Sequence, residues 1–311
     1  MGKKILYTAT VLSHICQFHL PYLQAFQERG DQVHVAARGA RRKGTRVVYI
    51  AHGFHFYRGA PRKNWLVFYP LERAFSRLTD LVVTIAEEDA ALARARFHCP
   101  VGHIHGIGVS PGRYRPASPE ERAAMRGAEG LGPEDFAVLC TGELNRNKDQ
   151  ASLLRAAARV RGEIPGLRVL LAGNGPLEGE LKALCGELGL EDTVRFLGYR
   201  TDLEKVAPAV DLIVSCSHRE GMPLNIIEAM LCGRPVVAAG NRGTRELVAD
   251  GESGLLFPAG GVDALAGCLL RMSREADREA MGRAGLERAQ AYTVPRVKEE
   301  FFPLIDSLLA T

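Results

Sequence analysis

The sequence of 311 residues lacks three features that would each set its class. No apolar run approaches the roughly 18 residues that a membrane-spanning helix requires, so we expect no transmembrane segment. The seven cysteines are odd in number and include no Cys-x-x-Cys pair, which argues against a disulfide framework and indicates buried thiols. No group of His, Cys and Asp residues has the spacing of metal ligands, which argues against a metal site.

The chain is long enough for two α/β domains, and its charge is unevenly divided along the sequence. Residues 1–115 hold 17 lysines and arginines against 7 acidic residues, whereas the remainder holds 23 against 29. A basic first part attracts phosphate-rich partners, and charge alone leaves a membrane surface, a phospholipid and a nucleic acid open. The N-terminal residues run into the strand-like Ile5–Thr8 without a secretory signal pattern, so we expect a cytoplasmic protein.

Short β-branched runs alternate with helical patterns, which is typical of βαβ units and parallel sheets. In the first half the predicted strands are Ile5–Thr8, Gln32–Ala36, Arg46–Ala51, Leu81–Ile85 and Gly102–His105. The predicted helices of this half are Cys16–Arg29, Trp65–Arg77 and Glu87–Arg96. Residues 109–119 contain three prolines and a glycine and predict a linker, and Ser118–Glu121 then resembles a capping box. We therefore expect a first domain of residues 1–110.

The second half predicts a six-stranded doubly wound domain, residues 111–293, whose ligands bind beyond the carboxyl ends of its strands. The predicted strands are Ala137–Thr141, Arg168–Ala172, Val194–Leu197, Leu212–Ser215, Pro235–Ala238 and Gly254–Phe257. The predicted helices begin near Asp149, Pro176, Thr201, Leu224, Gly243 and Val262. Residues 294–311 predict a final helix that packs back on the first domain.

Two carboxylates lie eight residues apart after the strand that ends at Ser215. Glu220 lies in the strand-to-helix loop and Glu228 about one turn into the helix. Between them, Gly221 allows a close backbone approach and Pro223 suits a first helical turn, so the first amides would face an anion such as a pyrophosphate. Those amides belong to Met222, Leu224 and Asn225. In this arrangement the second carboxylate would accept two ribose hydroxyls and the first would reach a sugar, although a lone pair of glutamates is more often solvated.

Six sequence blocks in order make this half resemble glycosyltransferase family 4. The blocks are Thr141–Leu144 with Lys148, Ala172–Pro176, Phe196–Tyr199, Glu220–Glu228, Cys232–Val237, and Arg245–Val248 with Gly251–Leu256. More narrowly, the chain is similar to bacterial transferases of capsule and exopolysaccharide assembly, whose first domain carries stretches like Phe18–Pro21 and Ala51–Tyr57. The family implies an α/β GT-B fold, with two Rossmann-like doubly wound domains that face a cleft.

The resemblance also implies roles for individual residues. Glu228 would bind the ribose of a nucleotide sugar, and Glu220 would lie beside the donor sugar. Lys148 would bind the diphosphate as a flexible cation, the alternative being an exposed lysine at a helix start. His52 would contact the sugar from the first domain, the alternative being a structural histidine.

Further donor contacts follow from the same resemblance. The chain has Glu143 where many relatives have an arginine, which leaves Arg146 as a second phosphate ligand. Gly142, Gly173 and Gly175 would lie under the nucleotide, although a plain strand-to-helix turn explains the last two nearly as well.

The implied reaction is transfer of a hexosyl or N-acetylhexosaminyl group from a nucleotide sugar, most often a UDP-sugar, with retention at the anomeric carbon. The acceptor would be a saccharide or a lipid-diphosphate-linked saccharide, and no nucleic acid is expected as a partner. No cofactor or metal is expected, because the sequence has no Asp-x-Asp pair and positive charge with a helix dipole would replace a divalent ion. Residues 54–75 hold seven of the 21 aromatics beside basic residues, which fits peripheral contact with the inner face of the cell membrane or the core face of a helix.

Two alternatives stay open. Residues 36–46 join two strands abruptly where relatives would have at least one further βα unit, so the first domain is shortened. A defective or non-catalytic homologue that binds a nucleotide sugar is therefore the stronger alternative. An NAD-dependent oxidoreductase is weaker, because Gly179, the third glycine of the series that begins with Gly173 and Gly175, comes one residue late for the dinucleotide fingerprint.

Overall fold

The computed structural model of this chain describes residues 4–8, 19–36, 46–274 and 278–310. Backbone contacts divide the chain into two compact units, which are described separately. Unit 1 comprises Met1–Gly108 and Tyr292–Thr311, and unit 2 comprises Val109–Ala291. The boundaries expected after residues 110 and 293 each lie two residues further along the chain.

Eleven strands and twelve α-helices occur in the described residues. The strands are β1 Lys4–Thr8, β2 Gln32–Ala36, β3 Val48–Ala51, β4 Leu81–Thr84, β5 Val101–His103, β6 Phe136–Thr141, β7 Leu167–Ala172, β8 Val194–Gly198, β9 Leu212–Ser215, β10 Val236–Ala239 and β11 Gly254–Phe257. The helices are α1 Leu20–Glu28, α2 Arg62–Phe75, α3 Glu87–Arg96, α4 Pro119–Ala128, α5 Gln150–Val160, α6 Glu178–Glu187, α7 Leu203–Val206, α8 Leu224–Leu231, α9 Arg242–Leu247, α10 Val262–Arg274, α11 Arg278–Ala289 and α12 Val294–Ala310. Every predicted strand is present, and the bounds differ by at most two residues.

Unit 1 holds two separate parallel sheets. Strand β1 pairs with β2, and β4 lies between β3 and β5; no strand pairing joins the two sheets within the described ranges. The sequence predicts a missing βα unit between β2 and β3. Of the residues between these strands, 37–45 lie outside the described part of the chain.

The small core of unit 1 explains part of the aromatic stretch between residues 54 and 75. Phe54 and Phe56 are buried and stack with ring centroids 5.0 Å apart, and Trp65 and Tyr69 of α2 pack against them. These two α2 aromatics therefore belong to the core face of the helix. Helix α12 packs within the same unit, where Phe301 contacts Tyr22 of α1 at a centroid distance of 5.3 Å.

Unit 2 contains one six-stranded parallel sheet in the order β11-β10-β9-β6-β7-β8, so the six-stranded prediction is confirmed. Strands β9 and β10 are buried at every position, as expected for parallel strands that are covered on both faces. The capping box is also confirmed: Ser118 accepts from the Glu121 amide, and the Glu121 carboxylate accepts from the Ser118 amide. It fixes the start of α4.

One helix of unit 2 escaped prediction. Helix α11 buries Met281, Gly282, Gly285 and Ala289, and a Cβ on Gly282 would lie 2.3 Å from the Gly233 carbonyl oxygen. A buried face made of such small residues gives no strong apolar periodicity in the sequence. In the described part of the chain, no helix combines the length and the apolar character needed to cross a membrane.

Candidate functional site

The order of strands in unit 2 brings two loops together at the switch point of the sheet. The chain runs from β6 outward through β7 and β8, then returns to place β9 on the other side of β6. The loops that follow β6 and β9 therefore begin side by side, at the carboxyl ends of adjacent strands. Doubly wound sheets bind their ligands in the crevice that forms there.

Lys148 and Glu220 meet across this switch point. The Lys148 ammonium donates to Glu220 Oε1 at 2.6 Å, although the two residues are 72 positions apart in the sequence. Their side chains are only 23% and 15% exposed, so the pair is less screened than a surface ion pair. Both were predicted as site residues, and the structure places them in direct contact.

Residues that the sequence did not single out hold the two loops in register. The His218 amide donates to the Asn147 carbonyl oxygen at 2.8 Å, and Asn147 Nδ2 donates to the Arg219 carbonyl oxygen at 3.0 Å. Asp149, which has a φ of 48°, lies 3.3 Å from His218 Nε2. A non-glycine residue with positive φ carries a strain cost, and such strain clusters at functional sites.

Helix α8 begins at this crevice with free amides. Pro223 is its N-cap with extended backbone, one position earlier than the predicted first helical turn, and no side chain caps the helix. Among the described residues, no acceptor bonds the backbone amides of Met222, Leu224 or Asn225. The Asn225 side chain ties this start to the end of β6 by donating to Thr141 Oγ1 at 3.2 Å. Free amides together with the helix dipole favour an anion here.

Two of the predicted glycines, Gly173 and Gly175, allow the loops to pack closely. Gly173 has a φ of 147°, and a Cβ there would lie 2.0 Å from the Gly142 carbonyl oxygen. A Cβ on Gly175 would lie 2.4 Å from the Leu144 carbonyl oxygen. The loop after β7 thus supports the loop that carries Lys148, and each glycine is required because backbone lies where a side chain would be.

Glu228 lies in a different environment from Glu220. The Tyr114 hydroxyl interacts with its carboxylate, and Arg113, which also binds Glu204 at 2.9 Å, is a nearby cation. Burial raises the pKa of Glu228 above its ordinary value, and the nearby Glu204 carboxylate adds to this, whereas Tyr114 and Arg113 oppose it. Burial and Glu228 also raise the pKa of Tyr114.

Tyr114 and Arg113 belong to residues 109–119, which were predicted to be a linker because of their prolines. This stretch begins unit 2, and its Tyr114 is buried and interacts with Glu228 of the site helix. The only sequence signal for this packing was an aromatic residue beside an arginine within a proline-rich stretch.

Two predicted residues remain, one in each unit. Arg146 is exposed and has no ion pair in the described part of the chain. His52 belongs to unit 1, where its ring packs edge-on against His19 with centroids 5.5 Å apart. The two sequence stretches of the first domain that carry the family resemblance therefore meet.

Comparisons with known proteins agree on one class of enzyme. The family described as glycosyl transferases group 1 matches residues 135–275. The inferred glycosyltransferase EpsD of Bacillus subtilis (strain 168) is 35% identical over 364 aligned positions, which cover 96% of this chain and 95% of that protein. The chain belongs to the group 1 glycosyltransferases.

Other relatives match a smaller part of the chain or are less similar to it in sequence. The D-inositol 3-phosphate glycosyltransferase of Mycobacterium marinum is 37% identical over 185 residues, which are 56% of this chain and 39% of that protein. The crystal structure of Anabaena Alr3699/HepE in complex with UDP has a TM-score of 0.80 at 22% identity. The match covers 99% of this chain and 100% of that chain. The pneumococcal O-GlcNAc transferase GtfA in complex with UDP and GlcNAc has a TM-score of 0.73 at 18% identity, with 100% of this chain and 58% of GtfA covered. These structural similarities identify the α/β GT-B fold.

The alignment with EpsD also bears on the length of this glycosyltransferase. Its 364 positions exceed the 311 residues of the chain by 53, so at least 53 residues of EpsD stand opposite gaps. This transferase is therefore shorter than a relative that it matches almost end to end.

Proposed function

We propose that this glycosyltransferase transfers a hexosyl or N-acetylhexosaminyl group from a UDP-sugar, with retention at the anomeric carbon. The proposed acceptor is a saccharide or a lipid-diphosphate-linked saccharide of cell-surface polysaccharide synthesis. The observation that carries the proposal is the meeting of Lys148, Glu220 and the uncapped start of α8 at the switch point of unit 2. An ammonium group and free helix amides together suit a diphosphate.

In the proposed complex the diphosphate lies against the α8 amides and competes with Glu220 for the Lys148 ammonium. The released Glu220 carboxylate then accepts hydrogen bonds from the donor sugar. Glu228 accepts both ribose hydroxyls, and Arg146 and His52 are additional predicted contacts that rest on the resemblance to family 4 alone.

The proposed transfer occurs on one face of the sugar. The bond between the anomeric carbon and the diphosphate oxygen breaks, the acceptor oxygen attacks from the same side, and the leaving oxygen takes the acceptor proton. The protein acts by holding the reactants in position and by stabilising negative charge on the leaving group. We propose that no divalent ion is needed, because the Lys148 ammonium and the α8 dipole supply positive charge; activity should then persist in EDTA.

Substitution of the two glutamates tests this arrangement. Glu228→Ala should weaken UDP binding by roughly 10- to 100-fold, because charge-assisted ribose contacts are worth about 1.5 to 3 kcal/mol. Glu220→Gln should lower the rate of transfer and leave UDP affinity nearly unchanged, because it frees Lys148 for the diphosphate. Calorimetry with UDP and a transfer assay measure the two effects, with the exposed Glu180→Gln as the control. Equal effects of both substitutions on binding and rate would contradict the assignment.

A competing function is nucleotide-sugar binding without transfer. Two observations favour it: the 53 or more residues missing relative to EpsD, and the lack of strand pairing between the two sheets in the described residues of unit 1. The same measurements separate the two functions: UDP binding with no transfer to any saccharide or lipid-linked acceptor would establish the competing one.

We also propose that unit 1 contacts an anionic membrane surface through the outer face of α2. Leu66 is 77% exposed and Phe75 is 61% exposed, and Arg62 and Lys63 lie at the exposed start of the same helix. Apolar side chains beside basic ones suit the boundary between headgroups and acyl chains.

Vesicle flotation tests the membrane proposal. The double variant Leu66→Ser/Phe75→Ser should bind anionic vesicles at least about fivefold more weakly, because two large apolar side chains no longer enter the lipid. Tyr199→Ser is the matched control, since Tyr199 is 74% exposed but lies in unit 2. Equal binding of the wild type and the double variant would overturn the proposal.

A further inference from the structure

A cavity of about 730 Å³ lies in unit 2 beside the turn that follows helix α8. Gly233 and Arg234 contribute to its wall, so it lies near the C-terminus of α8, whereas the candidate donor site lies at the N-terminus. Eight helical residues span about 12 Å. The cavity is therefore separate from the switch-point crevice, and its volume falls in the range of small-molecule sites.

Four arginines from three elements line this cavity. Arg122 and Arg126 come from α4, Arg234 from the turn after α8, and Arg283 from α11. Two carboxylates accompany them. Asp211 accepts from Arg122 at 2.6 Å and from Arg126 at 3.1 Å, and Glu279 lies 3.6 Å from Arg283. The guanidinium groups thus exceed these carboxylates by two.

Arg234 carries most of the unbalanced charge. Its Nε and Nη1 donate to the carbonyl oxygens of Cys232 and Val210 at 3.3 and 3.4 Å, and within the described ranges no carboxylate contacts it. A guanidinium has five N–H donors, so the Nη2 donors remain available. Burial, and then the neighbouring Arg122 guanidinium, lower the pKa of Arg234, whereas the Asp211 and Glu279 carboxylates oppose this.

Arg126 adds a second unused donor. It is buried, and its Nε has no hydrogen-bond partner among the residues that the structure describes. The remaining wall of the cavity is largely apolar and includes Pro116, Ala123, Leu131 and Leu286.

We propose that this cavity binds a small molecule that carries a phosphate group on an apolar body. Guanidinium groups bind phosphate oxygens through paired hydrogen bonds, and an added dianion would balance the two excess charges. The apolar wall selects a ligand larger than inorganic phosphate itself.

Calorimetry on the full chain in phosphate-free buffer tests the site, with phenyl phosphate and inorganic phosphate as the two probes. Phenyl phosphate should bind more tightly than inorganic phosphate, and Arg234→Gln should weaken its binding at least about fivefold. Arg283→Gln should also weaken it; Arg283 is 73% exposed, so its loss leaves the fold intact. Arg155→Gln, an exposed arginine of α5, and Lys148→Ala at the candidate donor site should both leave binding unchanged.

Three outcomes would overturn the proposal. The first is undetectable binding of phenyl phosphate at millimolar concentration. The second is equal affinity of the wild type and both cavity variants, and the third is loss of binding in Lys148→Ala, which would place the phosphate at the switch point. Equal affinities for the two probes would overturn the apolar part of the assignment.

Discussion

Glu220 and Glu228 are both acidic residues of one sequence block, but their surroundings give them different properties. Glu220 accepts a hydrogen bond from the Lys148 ammonium at 2.6 Å. Glu228 interacts instead with the Tyr114 hydroxyl, and burial raises the pKa of Glu228. The two carboxylates are therefore suited to different contacts with a nucleotide sugar.

The raised pKa of Glu228 predicts a pH dependence of UDP binding. Protonation removes the negative charge that ribose hydroxyls bind, so affinity should fall as the pH falls through the Glu228 pKa, at a pH above the ordinary value of 4.5. Dissociation constants from about pH 4.5 to 8 measure this effect. The Glu228→Gln variant lacks the titrating carboxyl group. Protonation of UDP itself affects the wild type and this variant equally, so any difference between their pH profiles comes from Glu228. A variant with the same pH profile as the wild type would exclude Glu228 as the group responsible.

At the scale of elements, the two site loops are held by contacts with their neighbours rather than by their own sequence. The loop before α8 packs against α9, where a Cβ on Gly243 would lie 2.4 Å from the Gly221 carbonyl oxygen and 2.9 Å from Pro223 Cδ. The Asn241 side chain also donates to the Ser217 carbonyl oxygen at 2.8 Å. Helix α9 thus sets the position of the α8 amides.

Gly243→Ala should displace this loop. We expect a loss of about 1 to 3 kcal/mol in the free energy of unfolding, together with weaker UDP binding, because backbone atoms must shift to admit the methyl group. Gly267→Ala is the matched control: it lies within α10 and meets nothing within 4 Å, so it should stabilise the protein by about 0.5 to 1 kcal/mol. Denaturant unfolding and calorimetry measure both quantities. If Gly243→Ala behaves like Gly267→Ala, the loop tolerates the shift.

At the scale of the molecule, the two units differ in how their strands are paired. Six strands of unit 2 form one parallel sheet, whereas the five strands described in unit 1 form sheets of two and three. In the smaller sheets of unit 1, each strand has fewer neighbouring strands to hydrogen-bond with, so more of its backbone groups depend on local contacts.

Unit 1 should therefore open more readily than unit 2. Hydrogen exchange is expected to be faster for the strand amides of β1 to β5 than for those of β6, β7 and β9, because fewer contacts must break to expose them. Exchange followed by mass spectrometry on the full chain, with and without UDP, measures this. UDP should slow exchange in the loops before α5 and α8. Equal protection of the strands in both units would show that the separate sheets are no weaker than the continuous one.

Local patterns in the sequence predict the elements of this protein and mark the residues of its candidate site. Apolar runs and glycine turns placed all eleven strands within two residues, because strand and helix patterns are local. The blocks around Lys148, Glu220 and Glu228 also marked the positions of the site residues in the sequence. The buried face of α11 was missed because glycine and alanine carry little apolar signal.

Which of these residues meet depends on the tertiary structure. Lys148 contacts Glu220 because β9 returns beside β6, a choice of strand order that depends on burial summed over the whole sheet. Tyr114 reaches Glu228 from a stretch that its prolines predicted to be a linker, because no local pattern records a distant partner. The basic cavity likewise needs arginines from three elements to converge, and in the sequence they are spread from Arg122 to Arg283.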